Sequence, residues 1–428
     1  MKILFVVPPF PNRISEYLIL PSIDLCIWSS LLRSHGHSVD LLDFKIDNTN
    51  LNELPELLKG KNPDIVCIDD DPRTHCNSIL IIKSLRDFYG RDLIIMMRGE
   101  MASFIPQIIL ERNLEVDYVL RYDDDYALLH IIESLEGKRK QSQVYNIGYR
   151  DIDGRIVITE VSKNGYDINL LPMPDRQLYD INKYLRRDSE TIVRSSRGCP
   201  GKCLFCTKTK FSSFKVFSVS RFCDEIEILL SYGFASFFFS DDTFAFSDER
   251  VDDFYREIKR RDLKFRWTSN IRIYDINEYK LKRMKEIGAY RVFVGIETVN
   301  GKTSEALKKN MDIQLIREKV NLIKKYGLEF HASFILGNPN DTEEDIEASI
   351  RFVKEVEPTI VTFNLIKIYP GLELYNEPEK YGVIMDDPYW FEKDDWSYKV
   401  VMGTKDLPPD RLEYLSRKCL FEFIDADK

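Results

Sequence analysis

The chain opens on an apolar run, Ile3–Val7, and runs dominated by apolar residues return at Val39–Leu42, Asp64–Ile68, Leu93–Met97 and Val116–Leu120. Short apolar runs without alternation predict strands covered on both faces. Between them, apolar residues recur at helical spacing near 23–34, 51–59, 77–88, 103–112 and 125–136, and Gly36 stops the first of these helices. This alternation predicts βα units on a parallel sheet, hence a doubly wound, Rossmann-like domain over 1–140.

The pattern changes over 141–187. Asp153-Gly154 sits between Tyr145–Arg150 and Arg155–Glu160, a hairpin signal. Leu171-Pro172-Met173-Pro174-Asp175 predicts an extended connector, because prolines at this spacing forbid a helix. Alternation resumes over 188–385, with strands predicted at Thr191–Ser195, Ser236–Phe239, Phe265–Thr268, Arg291–Gly295, Glu329–Leu336 and Ile360–Ile366. Gly233, Gly288 and Gly327 are placed to end the intervening helices in the left-handed conformation. These units predict a (β/α)6 partial barrel, since a full eight-stranded barrel needs about 250 residues. The tail, 386–428, carries Tyr389, Trp390, Phe391, Trp396 and Tyr398 and one last helix, and its aromatics read as packing of that helix onto the barrel.

Composition narrows the class. With 44% hydrophobic and 31% charged residues the chain reads as an ordinary globular protein, and 26 Phe with 22 Tyr give ample core material. No apolar run approaches the roughly 20 residues of a membrane span, and Met1–Pro9 is too short and too soon broken for a signal peptide. A cytoplasmic, non-membrane protein is therefore expected. A net charge of −9 disfavours a nucleic-acid partner. Eight cysteines in such a chain argue against a disulfide scaffold.

Three of those cysteines are clustered: Cys199-Pro-Gly-Lys-Cys203-Leu-Phe-Cys206, just after the first predicted strand of the second domain. Three thiolates can each hold one corner of an iron–sulfur cubane and leave a fourth iron without a protein ligand. An open iron can chelate a substrate or cofactor, whereas a cluster with four cysteine ligands only passes electrons. Gly198 and Gly201 permit the tight loop that brings backbone N–H groups to the sulfides. A structural zinc site would pair CxxC with a second CxxC or an HxxxH, yet the next cysteine is Cys223 on a predicted helix and no histidine lies nearby.

This motif resembles that of the radical S-adenosylmethionine (SAM) superfamily, and more of the chain resembles the subgroup with an N-terminal cobalamin-binding domain. Arg197-Gly198-Cys199-Pro200, Phe238–Phe244, Ser269–Arg272, Gly295–Thr298, Gly337–Pro339 and Tyr369–Gly371 are similar to its signatures. So are Leu20–Leu25 with Leu32–Val39, and Val116–Arg121, in the first domain. The resemblance implies a [4Fe-4S] cluster on Cys199, Cys203 and Cys206, SAM on its open iron, and reductive cleavage to a 5′-deoxyadenosyl radical that takes hydrogen from a small molecule. It further implies cobalamin on the first domain and methyl transfer to carbon, with a flavodoxin- or ferredoxin-like electron donor.

Each signature of the second domain follows a predicted strand, where parallel α/β barrels keep their sites. Candidate cofactor contacts there are Phe205, Asp241, Asp242, Asn270, Arg272, Glu297 and Asn338. Arg272 suits the SAM carboxylate, Asp242 or Glu297 the ammonium or ribose hydroxyls, and Ile335, Leu336 and Tyr369 an adenine pocket. Arg73, at the rim of the first domain, faces the lower side of a cobalt or pairs with Asp69, Asp70 or Asp71. Lys208, Lys210 and Lys215 form either a docking patch for the reductant or a solvated loop.

Three departures leave a second chemistry open. The first strand lacks the histidine-bearing loop of many corrinoid proteins, Met97-Arg98-Gly99-Glu100 replaces a Gly-Gly pair, and Arg121–Asp125 replaces a Gly-Glu pattern. A radical SAM dehydratase, epimerase or cyclase with a vestigial cobalamin domain is the alternative. A non-enzymatic metal-binding or electron-transfer module is a further one, opposed by the presence of three local cysteines rather than four.

Overall fold

In the computed structural model the described residues are 1–10, 20–47, 49–122, 124–162, 166–187, 190–208, 213–385, 387–393 and 400–424. The chain forms two units, one of Met1–Asp188 with Phe391–Ser397, the other of Ser189–Trp390 with Tyr398–Lys428.

The first unit is built on β1 (Lys2–Val7), β2 (Ser38–Asp43), β3 (Ile65–Asp70), β4 (Ile94–Gly99), β5 (Tyr118–Leu120), β6 (Ile147–Arg150) and β7 (Ile156–Ile158), in sheet order β2-β1-β3-β4-β5-β6-β7. The first five strands are parallel and the last two antiparallel. The order reverses between β1 and β3, the point at which doubly wound sheets open a crevice. Each predicted strand is present within a few residues. The helix expected over 103–112 is split into Glu100–Phe104 and Pro106–Arg112. Pro106 has no N–H to give to a preceding turn, so it starts a new helix.

The hairpin read as part of a linker instead supplies β6 and β7, turning at Gly154 (φ 79°). Arg150 fastens it to the sheet by donating to the carbonyls of Val116, Asn113 and Leu110. The turn was legible in sequence, but the sheet edge that it extends was not.

The second unit carries β8 (Glu190–Val193), the short pair β9 (Ser196–Arg197) and β10 (Lys215–Val216), then β11 (Ser236–Phe239), β12 (Arg266–Asn270), β13 (Ala289–Glu297), β14 (Glu329–Leu336) and β15 (Ile360–Leu365). Its main sheet is six-stranded and parallel, in the order β15-β14-β13-β12-β11-β8. Sequential neighbours joined by helices make the (β/α)6 partial barrel that was expected. Outside the sheet, Phe239 and Trp267 stack at 4.5 Å between ring centroids, with Phe222, Phe244 and Phe254 edge-on or tilted around them. Gly288 (φ 96°) ends the helix before β13, where a Cβ would stand 2.1 Å from Phe265 O. Among the described residues no helix is long and apolar enough to cross a membrane.

Candidate cluster and cofactor site

The cysteine loop leaves β9 and returns at β10, which pair antiparallel as Arg197 with Lys215 and Ser196 with Val216, so both ends of the loop are pinned. Gly198 (φ 72°) makes the first bend, and a Cβ there would stand 2.8 Å from Ser213 O. Leu204 anchors the middle, buried with Ile366 and Ile368 and donating its N–H to Leu307 O. Cys206 N–H donates to Cys203 O, which closes the CxxC turn.

The loop leaves a cradle. A methyl group on Gly201 would lie 3.3 Å from Cys199 Sγ, 3.9 Å from Arg272 Nη1 and 4.0 Å from Cys203 Sγ. Gly201 N–H already donates to Cys199 Sγ at 3.3 Å. Among the described residues no group of three or more His, Cys, Asp or Glu side chains is arranged to hold a single metal ion. Half-buried thiols around a bare backbone, with the Gly201 N–H turned to sulfur, fit a cluster carried on three corners.

The three cysteines line one cavity of about 680 Å³ together with Phe205, Asp242, Asn270, Arg272 and Glu297. The loops after β11, β12 and β13 bring these residues to the cysteines, as strand ends of parallel barrels do. Arg272 spends its fork on Asp275, at 2.7 and 2.9 Å, and this partner raises its pKa. Only Nη1 is left toward the cysteine loop. Glu297, in the left-handed conformation (φ 65°), accepts from Lys309 Nζ at 2.9 Å. Burial raises the Cys203 thiol, and Lys309 opposes that rise.

Four expected contacts lie elsewhere. Asp241 is fully buried and accepts from Ser195 N–H at 3.0 Å, Ser195 Oγ at 2.7 Å and Ser196 Oγ, tying the end of β11 to the start of the cysteine loop. Leu336 points outward into a cluster with Ile346, Ile350 and Leu412, because adjacent strand residues face opposite ways. Asn338 is buried and donates from its backbone and side chain to Asp341 Oδ2, both at 2.9 Å, so it shapes a turn. The Tyr369 ring packs at 5.6 Å from that of Trp390. Of the tail aromatics, Trp390 and Phe391 are buried, while Trp396 and Tyr398 lie outside the described residues, as does Lys210.

In the first unit Arg73 pairs with Asp71 at 2.7 and 2.9 Å and lies over the Phe10 ring. Burial would raise the Asp71 carboxyl, but Arg73 draws it down to about 2. His75 is buried against Asp70 at 2.8 Å. Arg98 folds back onto Asp69 (2.7 Å), Asp24 (3.4 Å) and the face of Trp28.

Sequence reasoning missed Tyr274, Lys308, Lys309, Asn310 and His331, all of which line the cavity. His331 faces inward from β14, between the outward Phe330 and Ala332, so period-two alternation was the available signal. Burial, helped by Arg291, pushes its imidazole down to about 4. The lysines follow a helix and belong to no motif.

The fold and the three-cornered cysteine cradle define an iron–sulfur enzyme of the partial-barrel class. Residues 193–353 match the model of the Radical SAM superfamily, so this stretch of the second unit is a radical SAM domain, and the chain carries the enzyme domain of a superfamily that implies a [4Fe-4S] cluster, SAM and a small-molecule substrate. Among curated relatives, an uncharacterized methyltransferase of Pyrococcus horikoshii, PH0819, is 28% identical over 88% of this chain and 82% of its own length. The anaerobic magnesium-protoporphyrin IX monomethyl ester cyclase of Rubrivivax gelatinosus is 23% identical over 88% and 70%. The radical SAM methyltransferase TsrM of Kitasatospora setae superposes with a TM-score of 0.79 at 16% identity, covering 100% of this chain and 90% of that one. The cobalamin-dependent radical enzyme OxsB gives 0.80 at 18%, covering 100% and 67%. These two likenesses show the fold.

Proposed function

We propose that the chain is a cytoplasmic, cobalamin-dependent radical SAM methyltransferase acting on carbon of a small molecule. The observation that carries this is the Gly201 cradle between Cys199 and Cys203, opening on one cavity that holds Arg272, Asp242 and Glu297. Cys199, Cys203 and Cys206 would hold the cluster. Asp242 and Glu297 would take the ammonium or ribose hydroxyls of SAM, Arg272 Nη1 would face its carboxylate, and Phe205 would cover an apolar part. When bound, the reduced cluster and SAM supply a hydrogen-abstracting carbon radical. The chain's own part is to orient the bound molecules and exclude water.

For the corrinoid, the relatives' names and the doubly wound first unit support the reading. Arg98 lies folded back onto Asp69, Asp24 and Trp28, and Arg73 is paired with Asp71 just after β3, so both guanidinium groups are held by the chain's own carboxylates. When bound, cobalamin supplies a methyl group to a carbon radical. The same packing of Arg98, where the family has glycine, favours a second reading in which the first unit binds no corrinoid and the reaction is a dehydration, epimerisation or cyclisation. Anaerobic reconstitution with hydroxocobalamin separates the two: corrin absorbance kept through desalting supports methyl transfer, and its loss supports the second reading. For the radical chemistry itself, wild type should cleave SAM to 5′-deoxyadenosine under dithionite, and Cys203→Ala should retain neither iron nor that activity.

A further inference from the structure

A second cavity, of about 350 Å³, lies wholly within the first unit and shares no residue with the cavity of the cysteines. It opens between the helix His75–Tyr89, which follows β3, and the helix Pro106–Arg112, which precedes β5. Its walls are apolar: Ile79 and Leu80 from the first helix, and Ile105, Ile108 and Ile109 from the second helix and the residue before it. The rest of the lining is polar. Glu392, from the tail, accepts from Arg112 Nη1 with both carboxylate oxygens, and its carbonyl accepts from Cys76 Sγ at 3.2 Å.

His75 also lines this cavity, and it is 5% exposed. Its Nδ1 is bound to Asp70 Oδ2 at 2.8 Å, and Asp70, 1% exposed, accepts from Ser78 Oγ at 2.7 Å as well. The buried carboxylate is thereby satisfied, and it fixes the imidazole with Nδ1 as the donor. Nε2 has no partner among the described residues, and it is not sealed within protein, so it meets the cavity. An apolar side chain would fill this place at less cost, because a largely buried ring nitrogen without a partner forfeits its hydration. Burial opposes charge on the ring, but Asp70 and Glu392 outweigh it and raise the pKa of His75. A protonated ring then offers Nε2–H to the cavity.

We propose that this cavity binds a small carboxylate with an apolar chain. The carboxylate accepts from His75 Nε2–H, and the chain lies against the isoleucines and Leu80. A charge-assisted hydrogen bond anchors one end, and an apolar wall takes the other, as in sites that bury small amphiphiles. Arg112 is engaged by Glu392, so the charge that answers the carboxylate is that of His75. Asp70 acts through His75 as a positioning residue, holding its tautomer and its proton.

The probe is octanoate, titrated calorimetrically into the anaerobically reconstituted full chain, with octanol and octylammonium as neutral and cationic matches of equal length. Octanoate should bind at least about tenfold more tightly than either. Its affinity should be level below the raised pKa of His75 and fall above it, hence fall between about pH 6 and pH 9. The titratable groups that face the ring are Asp70 from β3, Cys76 beside it, Arg112 from the second helix and Glu392 from the tail. Of these only a thiol titrates in that range, and Cys76→Ser should leave the midpoint of the fall in place. Asp70→Asn removes the charge that holds the proton and should move the fall to lower pH, a shift that a purely structural histidine would not give. His75→Gln should lose about tenfold or more of the octanoate affinity. Ile108→Trp, at a half-buried position on the wall, should block the cavity and abolish binding while its melting temperature stays near that of wild type. Should His75→Gln not fold, Ile108→Trp and the wild-type pH profile decide. No binding of octanoate by the wild type, octanol or octylammonium bound as tightly, an affinity level across that pH range, or an affinity unchanged in His75→Gln or Ile108→Trp would each overturn the proposal.

Discussion

Asp241 and Asp242 are neighbours with opposite fates. Asp241 turns inward and accepts from Ser195 and Ser196, while Asp242 lines the cavity. Asp241→Ala leaves three buried donors without their acceptor and should cost about 3 kcal/mol or more, read as a lowered unfolding midpoint in denaturant. Asp242→Ala should leave that midpoint almost unmoved and weaken SAM binding. Asp341 makes a pH prediction. It is 2% exposed, its Oδ1 is among the buried oxygens without a partner, and burial raises its carboxyl to about 7. The folded state then holds this proton more tightly than the unfolded chain, so stability falls as pH rises from about 4 through about 7 and is level above that. Asp341→Asn does not titrate, and its stability should gain on wild type between about pH 4 and pH 7, by at most about 4 kcal/mol, read as a rise in its melting temperature relative to wild type.

At the scale of elements, the cysteine loop depends on the β9–β10 pair and on Gly198. Gly198→Ala puts a methyl group 2.8 Å from Ser213 O at φ 72°. It should lower iron retention on reconstitution far more than it lowers the melting temperature, because the strain falls within a loop whose ends stay paired. Trp267 is different: fully buried, stacked on Phe239 and donating to Ile287 O, it belongs to the packing that carries β12. Trp267→Ala should cost about 3–5 kcal/mol in chemical denaturation. The strand pattern of both units was legible because buried parallel strands write long apolar runs and glycine punctuates the helix ends. The split at Pro106 was legible in principle, since proline marks a helix start as plainly as glycine marks a stop.

For the whole molecule, the net charge of −9 disfavours close approach by an acidic flavodoxin unless basic residues receive it. Lys202 and Lys308 line the cavity that holds the cysteines, and Lys208 and Lys215 flank the cysteine loop. Charge reversal at Lys208 and Lys215 should slow reduction by flavodoxin and leave reduction by dithionite unchanged in stopped-flow traces. An unchanged flavodoxin rate would assign those lysines to solvent.

The sequence by itself determined the two α/β units, the three-cysteine chemistry and five of the polar and aromatic contacts that line the cavity, because each is written in local spacing or just after a strand. Only the tertiary structure decided which way neighbouring side chains turn. Leu336 and Asp241 were misread because a one-residue step reverses the face, and the burial of each face depends on the helices packed outside it. Lys309 was invisible for a related reason. Its partner is twelve residues away in another element, and the left-handed backbone that joins the two is set by packing, which no motif records.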